Sequence, residues 1–120
     1  MASVGKHLVL ELKDCDRDRL SDRDFLKDTL LSACRVAGAT ILSDSFHSFP
    51  PYGGVSGVVI IAESHFSIHT WPEYGYAAID IFTCGNRLQP EKAVELLVRE
   101  LQARDHSILE LDRGIINSLG

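Results

Sequence analysis

The sequence has no apolar run approaching the ~18 residues that cross a bilayer as a helix. Its opening, Met1-Ala2-Ser3-Val4-Gly5-Lys6, lacks the basic start and apolar stretch of a secretory signal. Cations are in short supply as well. Lys and Arg number 12 against 17 Asp and Glu, a net charge of −5, which argues against a nucleic-acid partner because such binding needs clustered Lys and Arg. Cysteine is scarce, odd in number and unpatterned: Cys15, Cys34 and Cys84 include no Cys-x-x-Cys pair. That disfavours a disulfide framework or a zinc knuckle and makes a reducing cytoplasm the natural setting, with no membrane partner. There are no repeats and no low-complexity tract. What remains is 120 residues, expected to form one domain with enough apolar sequence for a core.

The apolar pattern predicts alternating elements. Strands are expected over His7–Leu12, Thr40–Phe46, Val55–Ala62, Phe66–Thr70, Ala77–Phe82 and Ser107–Leu111. A helix follows the charged connection Asp14–Asp24, with Ser21 and Asp24 resembling a capping box, a stripe of Phe25, Leu26, Leu30, Ala33 and Ala37, and Gly38 as its stop. Pro90 opens a second helix, with Val94, Leu97 and Leu101 on its apolar face. Cys34, among Leu30, Leu31 and Ala37, reads as core filler, and Cys15 carries no assigned role. Pro50-Pro51-Tyr52-Gly53-Gly54 is a loop. The order β-α-β-β-β-β-α-β gives an α+β fold: a two-layer α/β sandwich, mainly antiparallel, with both helices on one face. The other face needs a partner or solvent.

Reactive side chains interrupt this apolar pattern in Ala62-Glu63-Ser64-His65-Phe66-Ser67-Ile68-His69-Thr70-Trp71-Pro72-Glu73 and again in Asp80-Ile81-Phe82-Thr83-Cys84-Gly85. Ser64, His69 and Cys84 supply a hydroxyl, a base and a thiol. Taken singly, each has a plain structural reading: a turn serine, a satisfied strand histidine, a buried strand-end cysteine. Ser56 would ease packing between Val55 and Gly57, while Glu73 and Asp80 would be solvated acids. Two other catalytic readings fail. His65 and His69, four residues apart on a strand, would lie roughly 13 Å apart, too far to share one metal ion. Gly54-Val55-Ser56-Gly57 is not a Gly-x-Ser-x-Gly nucleophile elbow.

The Glu-Ser-His core with its downstream Thr-Cys-Gly resembles the short prokaryotic S-adenosylmethionine decarboxylases. The likeness extends to Gly5-Lys6-His7-Leu8, Phe46-His47-Ser48-Phe49 and Tyr52-Gly53-Gly54-Val55-Ser56-Gly57-Val58-Val59, and so covers about Gly5 to Gly114. The resemblance implies a proenzyme that cuts itself between Glu63 and Ser64, giving residues 1–63 and 64–120. Ser64 then becomes a pyruvoyl group, the site of Schiff-base formation, and no metal is needed. It implies that Ser56 and His69 assist processing, His69 by proton transfer, and that Cys84 is the proton donor in decarboxylation. Phe49, Trp71 and Glu73 would hold S-adenosylmethionine, at sites lying between the protomers of a homodimer. The product would be the aminopropyl donor for spermidine.

Relatives with the same pyruvoyl machinery decarboxylate arginine or ornithine, and Glu73 could equally pair with a guanidinium or ammonium group. A more distant alternative is an unprocessed homologue that binds a partner protein through its open sheet face.

Overall fold

The computed structural model describes residues 2–116. The expected α+β sandwich is present. Strand β1 (Ala2–Lys13) leads through a one-turn helix α1 (Arg17–Leu20) into helix α2 (Arg23–Ala37). Strands β2 (Ile41–Phe49), β3 (Gly54–Ile61), β4 (Ser64–Trp71) and β5 (Tyr76–Cys84) follow, then helix α3 (Pro90–Glu100) and strand β6 (Asp105–Ile116). The six strands form one sheet in the order β2-β3-β4-β5-β1-β6, with every neighbouring pair antiparallel.

Local chemistry corrects the expected details. The capping box is not used: Asp22, not Ser21, caps α2, its carboxylate accepting from the Phe25 amide at 3.0 Å. Ser21 instead closes α1, its hydroxyl donating to the Asp18 carbonyl. The charged connection thus hides a helical turn, begun by Asp16 accepting from the Arg19 amide. Strand β6 is much longer than Ser107–Leu111 because its pairing with β1 runs from Lys13↔Asp105 to Ala2↔Ile116. Gly38 does end α2, in the left-handed conformation (φ 88°) that an L side chain resists.

Period-2 alternation divides the sheet into two faces. Leu8, Leu10, Leu12, Val55, Val59, Ile61, Phe66, Ile68, Ala77, Ile79 and Ile81 are buried under the helices. Leu26, Leu30, Ala33, Cys34 and Ala37 of α2 and Ala93, Val94 and Leu97 of α3 complete that core. Cys34 is fully buried there, as its neighbours on the helix imply. Phe46 lies flat over Gly57 on the facing strand, in space that any β-carbon would occupy. Among the described residues, the second face carries no helix. It presents Ser56, Ile60, His65, Ser67, His69, Trp71, Asp80, Cys84, His7 and Leu109, and Ile60, Trp71, Leu109 and Leu111 are exposed there.

Candidate active site

The strand register sorts the candidate residues into two groups at opposite ends of the sheet. The first group surrounds the tight turn between β3 and β4. Ser64 heads β4, paired with Ile61 behind and Thr83 beside it. Its φ of 150° lies where only glycine is comfortable. The Glu63 carbonyl, the acyl side of the Glu63–Ser64 peptide, accepts from the Cys84 amide at 2.9 Å. Cys84 therefore stands at the same end of the sheet as Ser64, on the face without helices, and its side chain is exposed. The other two thiols are buried, and burial raises Cys15 to about 11 and Cys34 to about 12, holding both protonated. Cys84 is the only one of the three open to solvent.

Glu63 is buried on the helix side of the turn. One carboxylate oxygen accepts from the Thr40 amide at 3.1 Å. The other accepts from Arg87 at 2.6 Å and from the Thr40 hydroxyl at 3.4 Å. Burial pushes the Glu63 pKa up, but these bonds, led by the Thr40 amide, outweigh it and hold the carboxyl below its usual range.

The second group lies about five residues further along β4. His69 pairs across the ladder with Ser56, whose hydroxyl meets the His69 Nδ1 at 2.8 Å. Beside them is a cleft of about 380 Å³ lined by Phe49, Pro50, Tyr52, Ser56, His69, Trp71 and Glu73. Trp71 is braced by the Tyr76 ring, stacked at 5.3 Å and 26°. The Tyr76 hydroxyl donates to the Glu11 carboxylate, and burial together with that acid raises its pKa to about 12. The floor is tied down by Thr70, whose hydroxyl accepts from the Val55 amide and donates to the Leu20 carbonyl. Gly54 passes so close to the Thr70 carbonyl that a β-carbon would sit 2.8 Å from it.

At ~3.3 Å per strand residue, Ser64 and His69 stand about 17 Å apart within one protomer. Ser64 and Cys84 thus share one end of the sheet. Ser56, His69, Phe49, Trp71 and Glu73 share the other. Between the two groups, in mid-sheet, the Asp80 carboxylate accepts from His7 at 2.9 Å and from Ser67 at 3.4 Å, so Asp80 is paired rather than simply solvated. Its alternation with Ile79 and Ile81 was visible in the sequence; its partner His7, 73 residues away, was not. Thr40, Arg87 and Tyr76 also escaped the sequence reading, since only the folded turn and ladder bring them to the candidates. Among the described residues, no cluster of three or more His, Cys, Asp or Glu could hold a metal ion, and no helix is long and apolar enough to cross a membrane.

A sandwich with one bare sheet face and a strained serine at a hairpin turn matches known proteins along its whole length. The structure superposes on the crystal structure of the adenosylmethionine decarboxylase from Aquifex aeolicus with a TM-score of 0.92, at 31% identity, covering 100% of this chain and 98% of that one. The fold is that of a decarboxylase class. A family model described as S-adenosylmethionine decarboxylase matches residues 6–114. Two S-adenosylmethionine decarboxylase proenzymes are close relatives. That of Thermotoga maritima is 49% identical over all of this chain and 92% of its own length. That of Thermodesulfovibrio yellowstonii is 49% identical over 98% of this chain and 86% of its own. The chain belongs to the S-adenosylmethionine decarboxylase family.

Proposed function

We propose that this chain is a proenzyme that cuts itself at Glu63–Ser64 and then decarboxylates S-adenosylmethionine. The observation that carries the reading is the turn itself: a backbone-strained serine whose preceding carbonyl already accepts an amide hydrogen bond. Attack by the Ser64 hydroxyl on the Glu63 carbonyl carbon gives a tetrahedral adduct with negative charge on the Glu63 oxygen; its collapse breaks the C–N bond, the Ser64 nitrogen taking up the proton, and leaves an ester. The Cys84 N–H, 2.9 Å from that oxygen, is oriented to stabilise it. A base must take the hydroxyl proton and, later, the Ser64 α-proton as Glu63 leaves as a carboxylate; the dehydroalanine left at position 64 tautomerises, and water hydrolyses it to the pyruvoyl group with release of ammonia. His69 of a second protomer is the candidate, its Nδ1 bonded to Ser56 so that Nε2 is free to exchange a proton.

The turn fits a group made from Ser64, because the residue is only half-buried and stands at a strand end beside an exposed thiol. When formed, the pyruvoyl group supplies an electron sink for the pair released as carbon dioxide leaves. Cys84 then returns a proton to the substrate α-carbon. Phe49 and Trp71 offer aromatic faces to the adenine and the sulfonium, and the Glu73 carboxylate accepts from the ribose hydroxyls. The product would be the aminopropyl donor for spermidine, made in the cytoplasm.

The 17 Å separation supports a homodimer. A two-fold axis running across the strands, with the bare sheet faces packed together, would bring Ser64 and Cys84 of each protomer over the Ser56–His69 end of its neighbour. Exposed Ile60, Trp71, Leu109 and Leu111 on that face favour burial against a second copy. A complementation assay tests this. Ser64→Ala and His69→Ala proteins are each expected to be inactive, and co-expression should restore about a quarter of wild-type activity, because random pairing leaves one intact site per heterodimer. Co-expression that restores nothing refutes the shared site. The proposed cut is read by intact mass, with Ser64→Ala expected to remain full length. The substrate is read by carbon dioxide release from a panel of S-adenosylmethionine, arginine and ornithine, where turnover of only the amino acids would overturn the assignment.

A further inference from the structure

A carboxylate in a two-residue turn is ordinarily left in water, yet the Glu63 side chain is only 10% exposed. Burying it is unfavourable unless its oxygens are satisfied. Both are, by Thr40 from the α2–β2 junction and by Arg87 from the β5–α3 loop. The backbone is pinned on either side. The Ala62 amide donates to the Thr40 carbonyl at 2.9 Å, and the Glu63 carbonyl accepts from Cys84 at 2.9 Å. Three attachments thus converge on two residues immediately before Ser64. A strained φ persists only where its surroundings over-determine it, and these attachments directly adjoin Ser64 with its φ of 150°.

We infer that Glu63 is a positioning residue for self-cleavage: Thr40 and Arg87 grip its carboxylate and thereby fix the scissile carbonyl on the Cys84 amide. Without the grip the turn can rotate, the strain at Ser64 relaxes, and the carbonyl leaves its donor. In this role the Glu63 and Arg87 side chains act through the placement of the peptide. The inference rests on the proposed cut at Glu63–Ser64.

The test follows newly translated chains by intact mass over time, comparing wild type with Glu63→Ala, Glu63→Gln, Arg87→Ala and Arg87→Lys. Loss of a charge-assisted grip should slow cleavage roughly tenfold or more in Glu63→Ala, with Glu63→Gln between it and wild type. Arg87 is largely exposed, so its removal should slow cleavage only several-fold, and Arg87→Lys should recover most of the rate. A merely structural role would not respond to that conservative exchange. Each change is also made in the uncut Ser64→Ala protein, where a cooperative melting transition well above the assay temperature shows that folding is intact. If Glu63→Ala does not fold, the Arg87 pair decides. Wild-type cleavage rates in folded Glu63→Ala and Arg87→Ala overturn the positioning role. A wild-type chain that never divides into residues 1–63 and 64–120 overturns the cut itself, a separate outcome.

Discussion

Replacing Ser64 by glycine should stabilise the uncut protein relative to replacing it by alanine. Both variants lack the hydroxyl that the proposed cleavage needs, so both remain one chain and can be compared at equilibrium. An L side chain at φ 150° bears about 1–3 kcal/mol of backbone strain that glycine escapes. Glycine returns part of this, roughly 0.5–1 kcal/mol, through the greater freedom of its unfolded chain. The glycine variant should therefore be more stable by about 0.5–2 kcal/mol, which for a domain of this size raises the melting temperature by roughly 2–8 °C. Scanning calorimetry and urea titration of the two proteins measure the difference. An alanine variant more stable than the glycine one by the full entropic difference of roughly 0.5–1 kcal/mol would show that the turn is unstrained. It would also remove strain as a driving force for self-cleavage. Strain of this size, released on the way to the ester, corresponds to roughly 5–150-fold in rate.

Cys84→Ala should still cut itself, since its amide remains on the Glu63 carbonyl, yet lose about 100-fold or more in decarboxylation; unchanged turnover in a carbon dioxide assay would relieve the thiol of its role. Gly57→Ala should lower the urea midpoint by the equivalent of about 1–3 kcal/mol, because the new methyl group meets the Phe46 ring; an unshifted midpoint would mean that the ring moves aside freely. The lowered pKa of Glu63 gives a pH signature in the uncut Ser64→Ala protein. A depressed carboxyl contributes stability in full above its unfolded value of ~4.3 and loses it as pH falls through the folded value. The stability difference between this protein and its Glu63→Gln derivative should shrink toward acid pH, and parallel pH curves would refute the assignment.

The fold was legible where one period dominated. The Val55–Ala62 run and the stripe from Phe25 to Ala37 each bury one continuous face, and strand and helix formed there with boundaries moved by only a residue or two. It was less legible among the short acids between Asp14 and Asp24. Asp16, Ser21, Asp22 and Asp24 all carry capping side chains, and spacing does not say which two will be used. Strand β6 was under-read because it is exposed on both faces and so has no alternation. The residue types of the candidate site were all visible, but its division was not. Ser64 alone reads as a turn serine, and only its place at the head of β4 shows that one protomer holds it a strand's length from His69. Thr40 and Arg87 lay beyond sequence reasoning because the turn at Glu63 gathers them from 23 and 24 residues away.

The position of the hairpin within the sheet has a consequence for what a cut there does. Strands β1, β2 and β3 precede the break and β4, β5 and β6 follow it, yet in the sheet β1 is threaded between β5 and β6. Three of the five seams, β3–β4, β5–β1 and β1–β6, would join one fragment to the other. Helices α2 and α3, one from each fragment, are packed together as well. The fragments of such a cut would be dovetailed, and neither could be withdrawn without tearing hydrogen-bonded ladders on both sides of β1. Dilution alone will not part them. The protection works in one direction only. Once melted, halves made by such a cut would have to find each other in a second-order search, and with the hydroxyl consumed nothing could rejoin them. The mature molecule would hold its shape by its history: assembled as one chain, kept as two, and lost on the first complete unfolding.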